Sequence, residues 1–131
     1  MNVLMLLTNK ASTVYISEND TLRDAISIMR SSGYTAIPVI GSGGKYIGCV
    51  SEGDFLFKVM DNGCDCIDDI KVSEVIRPEF TPAVRIDVSL DELFDKAIRQ
   101  NFIPVTDDIG NYIGIVTRKD IILAFLKKYN K

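Results

Sequence analysis

The apolar positions of this chain switch between two spacings. From Thr21 they fall at Leu22, Ala25, Ile26 and Met29, the i, i+3, i+4, i+7 pattern of one helical face. Thr21 and Asp24 make a capping-box pair at its start, and Gly33 suits its end. Residues 34–40 then read as a strand, Gly41-Ser42-Gly43-Gly44 as a hairpin turn and 45–51 as the returning strand. Phe55, Leu56, Val59 and Met60 predict a second helix with an apolar stripe. Upstream, residues 1–10 predict a buried N-terminal helix and 12–16 a short strand.

The second half follows the same order. A short helix over 72–76 stops ahead of Pro78, and 80–86 contain a strand. Ser89 and Glu92 cap a helix that turns Leu90, Leu93, Phe94, Ala97 and Ile98 inward. Strands at 102–106 and 111–117 form a hairpin, and a last helix buries Ile121, Ile122, Phe125 and Leu126. Between the halves, residues 61–69 lose all periodicity and carry Asp61, Asp65, Asp68 and Asp69, the signature of a solvated linker.

The agreement extends to individual residues. Ile37-Pro38-Val39, Gly44, Tyr46-Ile47-Gly48 and Ser51-x-x-Asp54 return as Ile103-Pro104-Val105, Gly110, Tyr112-Ile113-Gly114 and Thr117-x-x-Asp120, at a constant offset of 66 positions. Matching Pro, Gly and Asp at fixed register indicate duplication of one supersecondary unit. The predicted division is 1–66 and 67–131. Met29 to Pro38 is nine steps but Ala97 to Pro104 is seven, so the second copy is two residues shorter where helix passes into strand.

Composition then narrows the field. With 131 residues, each half has about 60, a marginal core alone, so the halves are expected to share one core. A net charge of −3 argues against a broad nucleic-acid surface. The aliphatic run Val3–Leu7 is far short of the roughly 20 residues of a membrane span, and it lacks a signal-peptide pattern. Three cysteines, one of them (Cys49) in a predicted buried strand, argue for a reducing compartment, hence a cytoplasmic protein. The chain has no histidine, which removes the commonest general base and His-containing metal sites.

In Gly114-Ile115-Val116-Thr117-Arg118-Lys119-Asp120 a strand gives way to a helix, so unpaired amides and the positive end of the helix dipole gather at one corner. The Thr117 hydroxyl, Arg118 and Lys119 suit a phosphate there. Asp120 suits the hydroxyls of a ribose. A phosphate site beside a diol site describes a nucleotide. The competing reading is structural: Thr21/Asp24, Ser51/Asp54, Ser89/Glu92 and Thr117/Asp120 are all capping-box pairs. Only the second and fourth follow a Gly-apolar-apolar strand end. Cys64-Asp65-Cys66 lacks zinc-site spacing, and Gly41-x-Gly43-Gly44 is followed by a strand rather than the helix of a dinucleotide fingerprint.

This repeated pattern, apolar-Pro-Val, a hairpin and Gly-apolar-apolar-Ser/Thr-x-x-Asp, resembles the cystathionine β-synthase (CBS) domain, and two in tandem resemble a CBS pair, or Bateman module. The resemblance implies an α/β fold of two β-α-β-β-α repeats related by a pseudo-twofold axis, with clefts between them that take adenosine-containing ligands. It implies a regulatory module without catalysis or cofactor. Carried over, one cleft takes Ser12, Val14, Thr35, Ala36 and Ile37 with Thr117, Arg118, Lys119 and Asp120. The other takes Thr81, Ala83, Asn101, Phe102 and Ile103 with Ser51, Glu52 and Asp54. The first is favoured, because Glu52 puts a carboxylate where Arg118 puts a cation. Gly33-Tyr34-Thr35-Ala36-Ile37-Pro38-Val39, with the shortened second repeat, is also similar to small stand-alone CBS-pair proteins of Gram-positive bacteria that sense cyclic di-AMP. AMP, ATP and cyclic di-AMP thus stand as candidate ligands. A homodimer formed through the helices and a target protein complete the expected partners. The alternative is a structural or dimerisation module with no ligand.

Overall fold

The computed structural model describes residues 2–77 and 79–129. In chain order the elements are α1 (Val3–Leu6), β1 (Thr8–Asn9), β2 (Ile16–Ser17), α2 (Leu22–Ser32), β3 (Ala36–Ile40), β4 (Tyr46–Ser51), α3 (Glu52–Asn62), β5 (Val84–Arg85), α4 (Leu90–Arg99), β6 (Phe102–Thr106), β7 (Tyr112–Thr117) and α5 (Arg118–Tyr129). They fall into two compact units. One is Val14–Phe80; the other joins Met1–Thr13 to Thr81–Lys131. Each is a mixed α/β unit, with sheet order β2-β3-β4 in the first and β1-β7-β6-β5 in the second.

The hairpin registers repeat residue for residue. Pro38 faces Cys49 and Pro104 faces Ile115, while β2 and β5 run parallel to the inner strands and pair only from Val39 and Val105 onward. Each proline therefore precedes the stretch where the second neighbour asks for an N–H, which is how a central strand tolerates it.

Each unit buries a cluster of its own. Ile16, Leu22, Met29, Ile37, Val39, Val50, Phe55 and Val72 pack in the first unit. Leu93, Ala97, Ile103, Val105, Val116 and Ile121 pack in the second, with Val3 from the N-terminus. The second unit also draws on α1 and the residue after it: Leu6 and Leu7 pack on its cluster. The N-terminal helix is thus four residues rather than ten, and Leu4 and Met5 are exposed.

Other expectations also change. The strand expected over 12–16 forms only at Ile16–Ser17, and Lys10–Ser12 is a 3-10 turn whose carbonyl at Lys10 accepts from the Thr13 N–H. The linker is folded rather than simply solvated: Cys64–Asp68 is a 3-10 turn, and Cys66 and Ile67 pack against the first cluster. Arg23 grips Asp68 at 2.6 Å, and the hydrogen bond from that guanidinium holds the Asp68 carboxyl below its usual range. The short helix ahead of Pro78 is a 3-10 turn at Val72–Glu74; Pro78 itself lies outside the described residues. Leu56, Met60, Ile98, Ile122, Phe125 and Leu126, all expected inside, are exposed. Their spacing is helical, but these helices carry apolar residues on more than the core-facing side. No helix among the described residues is long and apolar enough to cross a membrane.

Candidate functional site

All four Ser/Thr-x-x-Asp/Glu pairs cap their helices: Thr21, Ser51, Ser89 and Thr117 accept from the N–H of Asp24, Asp54, Glu92 and Asp120 at 3.0–3.4 Å. Two of them sit where a β-hairpin strand runs directly into a helix, one corner in each unit. At each corner the first helical amide is already used within its own repeat, Glu52 N–H by the Thr35 carbonyl at 3.0 Å and Arg118 N–H by the Asn101 carbonyl at 2.9 Å. The third amide goes to the capping hydroxyl. The second remains, and among the described residues the Lys119 amide has no protein partner.

The corners differ in their carboxylates. Asp54 completes a full capping box, with Oδ2 accepting from the Ser51 amide at 2.7 Å and from the Ser51 hydroxyl at 3.1 Å. Arg77 adds a contact to each oxygen, Nε to Oδ1 at 2.7 Å and Nη2 to Oδ2 at 3.3 Å. Asp120 uses its backbone N–H for the Thr117 cap, and no described side chain donates to its carboxylate. Thr117 Oγ1 accepts one bond and can still donate its proton.

Arg118 has a structural task that the sequence did not show. Its Nε donates to the Ala97 carbonyl at 2.7 Å and its Nη2 to the Ile98 carbonyl at 3.3 Å, at the C-terminus of α4. The reason is the two-residue deletion. Helix α2 ends on left-handed Gly33, whose N–H closes on Met29 O, whereas α4 ends on extended Gln100. A cation beside those last carbonyls replaces the glycine cap and complements the dipole. Arg118→Ala is therefore expected to lower stability by about 1–2 kcal/mol without any ligand, read by thermal denaturation. An unchanged melting temperature would leave Arg118 free for a phosphate alone.

The remaining expected ligand residues divide by burial. Ser12, Thr35 and Asn101 are exposed, and Val14, Ala36, Ala83 and Phe102 are half-buried. Ile37 and Ile103 are wholly buried in their clusters and Thr81 is buried, so the two isoleucines can offer a ligand only backbone. A groove of about 530 Å³ lies elsewhere, on the α2/α3 face of the first unit, lined by Met29, Tyr34, Phe55 and Leu56 among others. Glu52 is the one expected ligand residue on it. The described residues contain no cluster of three or more metal-ligating side chains.

A strand end, a Ser/Thr cap and an Asp one turn on, twice over on duplicated α/β units, define a class. The family model for the CBS domain matches residues 10–61 and 72–127, and the chain belongs to the CBS-domain family. Among solved structures, CbpB in complex with cyclic di-AMP has the same fold, with a TM-score of 0.90 at 19% identity over 97% of this chain and 85% of that one. By sequence the chain is 25% identical to an uncharacterised protein of Methanocaldococcus jannaschii, over 86% of both chains. It is 29% identical to a homoserine O-acetyltransferase of Methanococcus vannielii, but spans only 23% of that enzyme.

Proposed function

We propose that this protein is a non-enzymatic, cytoplasmic sensor that binds an adenine nucleotide (AMP, ATP or cyclic di-AMP) and changes its contact with a partner protein in response. The observation that carries the reading is the second-repeat corner, where an unpartnered amide, the Thr117 hydroxyl, the Lys119 ammonium and an unengaged Asp120 carboxylate lie within four consecutive residues. Amide, hydroxyl and cation suit a phosphate, and the carboxylate suits ribose hydroxyls. The fold shared with CbpB, solved with cyclic di-AMP, supports the same ligand class. The remaining ligand contacts are proposed for Ser12, Val14, Thr35, Ala36 and the Ile37 backbone, with 1–66 and 67–131 as the repeats. Exposed Leu56, Phe57 and Met60 on α3, and Ile122, Leu123 and Leu126 on α5, support assembly as a homodimer through helices.

Thermal denaturation with each nucleotide tests this directly. A ligand at 100 times its dissociation constant is expected to add about 2.7 kcal/mol of stability. A second reading, a scaffold without ligand, is favoured by the structural use of all four caps and of Arg118. No shift with any of the three nucleotides would establish it in place of the first.

A further inference from the structure

We infer that Arg77 closes the first-repeat corner to nucleotide, leaving Asp120 as the chain's one ribose-binding carboxylate. The inference rests on the nucleotide-sensor reading and adds to it a stoichiometry and the residue that sets it. An ionised carboxylate offers about four acceptor positions. Those of Asp54 meet four donors, the Ser51 amide, the Ser51 hydroxyl, and Nε and Nη2 of Arg77. Three of the four fall on Oδ2, which is filled, and the fourth is on Oδ1, so the two oxygens are not free together to receive the pair of hydroxyls of a ribose diol. Arg77 also donates to Ser51 Oγ at 3.3 Å, and its guanidinium lies over the Phe80 ring, 4.0 Å from the centroid. The guanidinium is thus held along its Nε/Nη2 edge by Asp54 and Ser51 and on one face by the Phe80 ring.

Comparison of the two hairpins shows why the second corner escapes. Arg77 bridges to Cys49 on the outer edge of β4, and its N–H reaches the Cys49 carbonyl at 3.4 Å. The position 66 residues after Cys49 is Ile115 on β7, and its partner on β1 is Thr8. Thr8 thus occupies in the second unit the place that Arg77 occupies in the first. A threonine has neither the charge nor the length to reach the carboxylate one helical turn into α5. The two corners therefore share a motif and differ by the residue that crosses behind it.

The test is calorimetric titration of the full chain with AMP, ATP and cyclic di-AMP in parallel, with circular dichroism confirming the fold of each variant. In an Asp120→Ala background, Arg77→Ala or Arg77→Gln is expected to raise affinity for at least one nucleotide by tenfold or more, and adding Asp54→Ala is expected to remove the gain. Arg77 variants that create no Asp54-dependent binding overturn the inference whether or not the unaltered protein binds through Asp120. Arg77→Ala or Arg77→Gln alone, with Asp120 intact, binding nucleotide more weakly than the unaltered protein overturns it as well, because Arg77 would then be a ligand contact. Absence of binding by the unaltered protein, with binding gained on Arg77→Ala, would refute the Asp120 reading while upholding the closure.

Discussion

Asp120→Ala is expected to weaken AMP or ATP binding by about 10- to 100-fold, the worth of a charge-assisted hydrogen bond or two, while Asp54→Ala leaves affinity within about twofold, an effect below 0.5 kcal/mol on the scale where 1.4 kcal/mol is tenfold. Both residues close a Ser/Thr-x-x-Asp pattern at the same place in the repeat, so the sequence alone treats them alike. The difference lies in their partners: Arg77 and Ser51 occupy Asp54, and no described side chain donates to the Asp120 carboxylate. Titration calorimetry of the two variants decides the matter, and equal losses would refute the preference. The ligand dependence carries further information. AMP and ATP present a free 2′,3′ diol, whereas a 3′,5′-linked cyclic dinucleotide keeps only its 2′ hydroxyls, so Asp120→Ala should cost cyclic di-AMP less.

Gly114→Ala is expected to be the most damaging single-methyl change in the second unit, costing about 2–4 kcal/mol. Gly114 lies on β7 at φ 151°, a conformation that L side chains rarely adopt. A Cβ there would run into the Thr8 carbonyl oxygen and press on Leu7. Neither can yield cheaply, because Thr8 belongs to the strand β1 that pairs with β7, and Leu7 packs on the second cluster. The substitution should therefore loosen β1 and α1, and with them the burial of Val3. Gly53→Ala is the control. Its added methyl meets only Ser51 Oγ at 3.7 Å, and alanine is the better helix former in α3, so stability should hold or rise slightly. Chemical denaturation of both variants measures the contrast; a Gly114→Ala protein as stable as the parent would show that β1 is not a structural strand.

Periodicity and repetition made the hairpins, the four caps and the α/β class legible, because each depends on residues within about fifteen positions of one another. The repeated glycine was legible too, but its cause was not. Gly48 and Gly114 share a φ near 150° beside the register shift of their hairpins, and at Gly114 the Thr8 carbonyl of β1 closes in as well. Apolar helix positions were assigned inward by spacing alone, and Ile98, 78% exposed, shows the limit of that rule: spacing gives a face and does not say what covers it. The sequence by itself determined the duplication, the fold class and the two corners where a strand passes into a helix. Only the tertiary structure decided that residues 1–13 complete the second unit, that Arg118 replaces a lost glycine cap, and that Asp54 is occupied while Asp120 is open. Those three outcomes depend on contacts between residues some 20 to 110 positions apart, and no local pattern encodes which distant side chain will arrive at a given carbonyl or carboxylate.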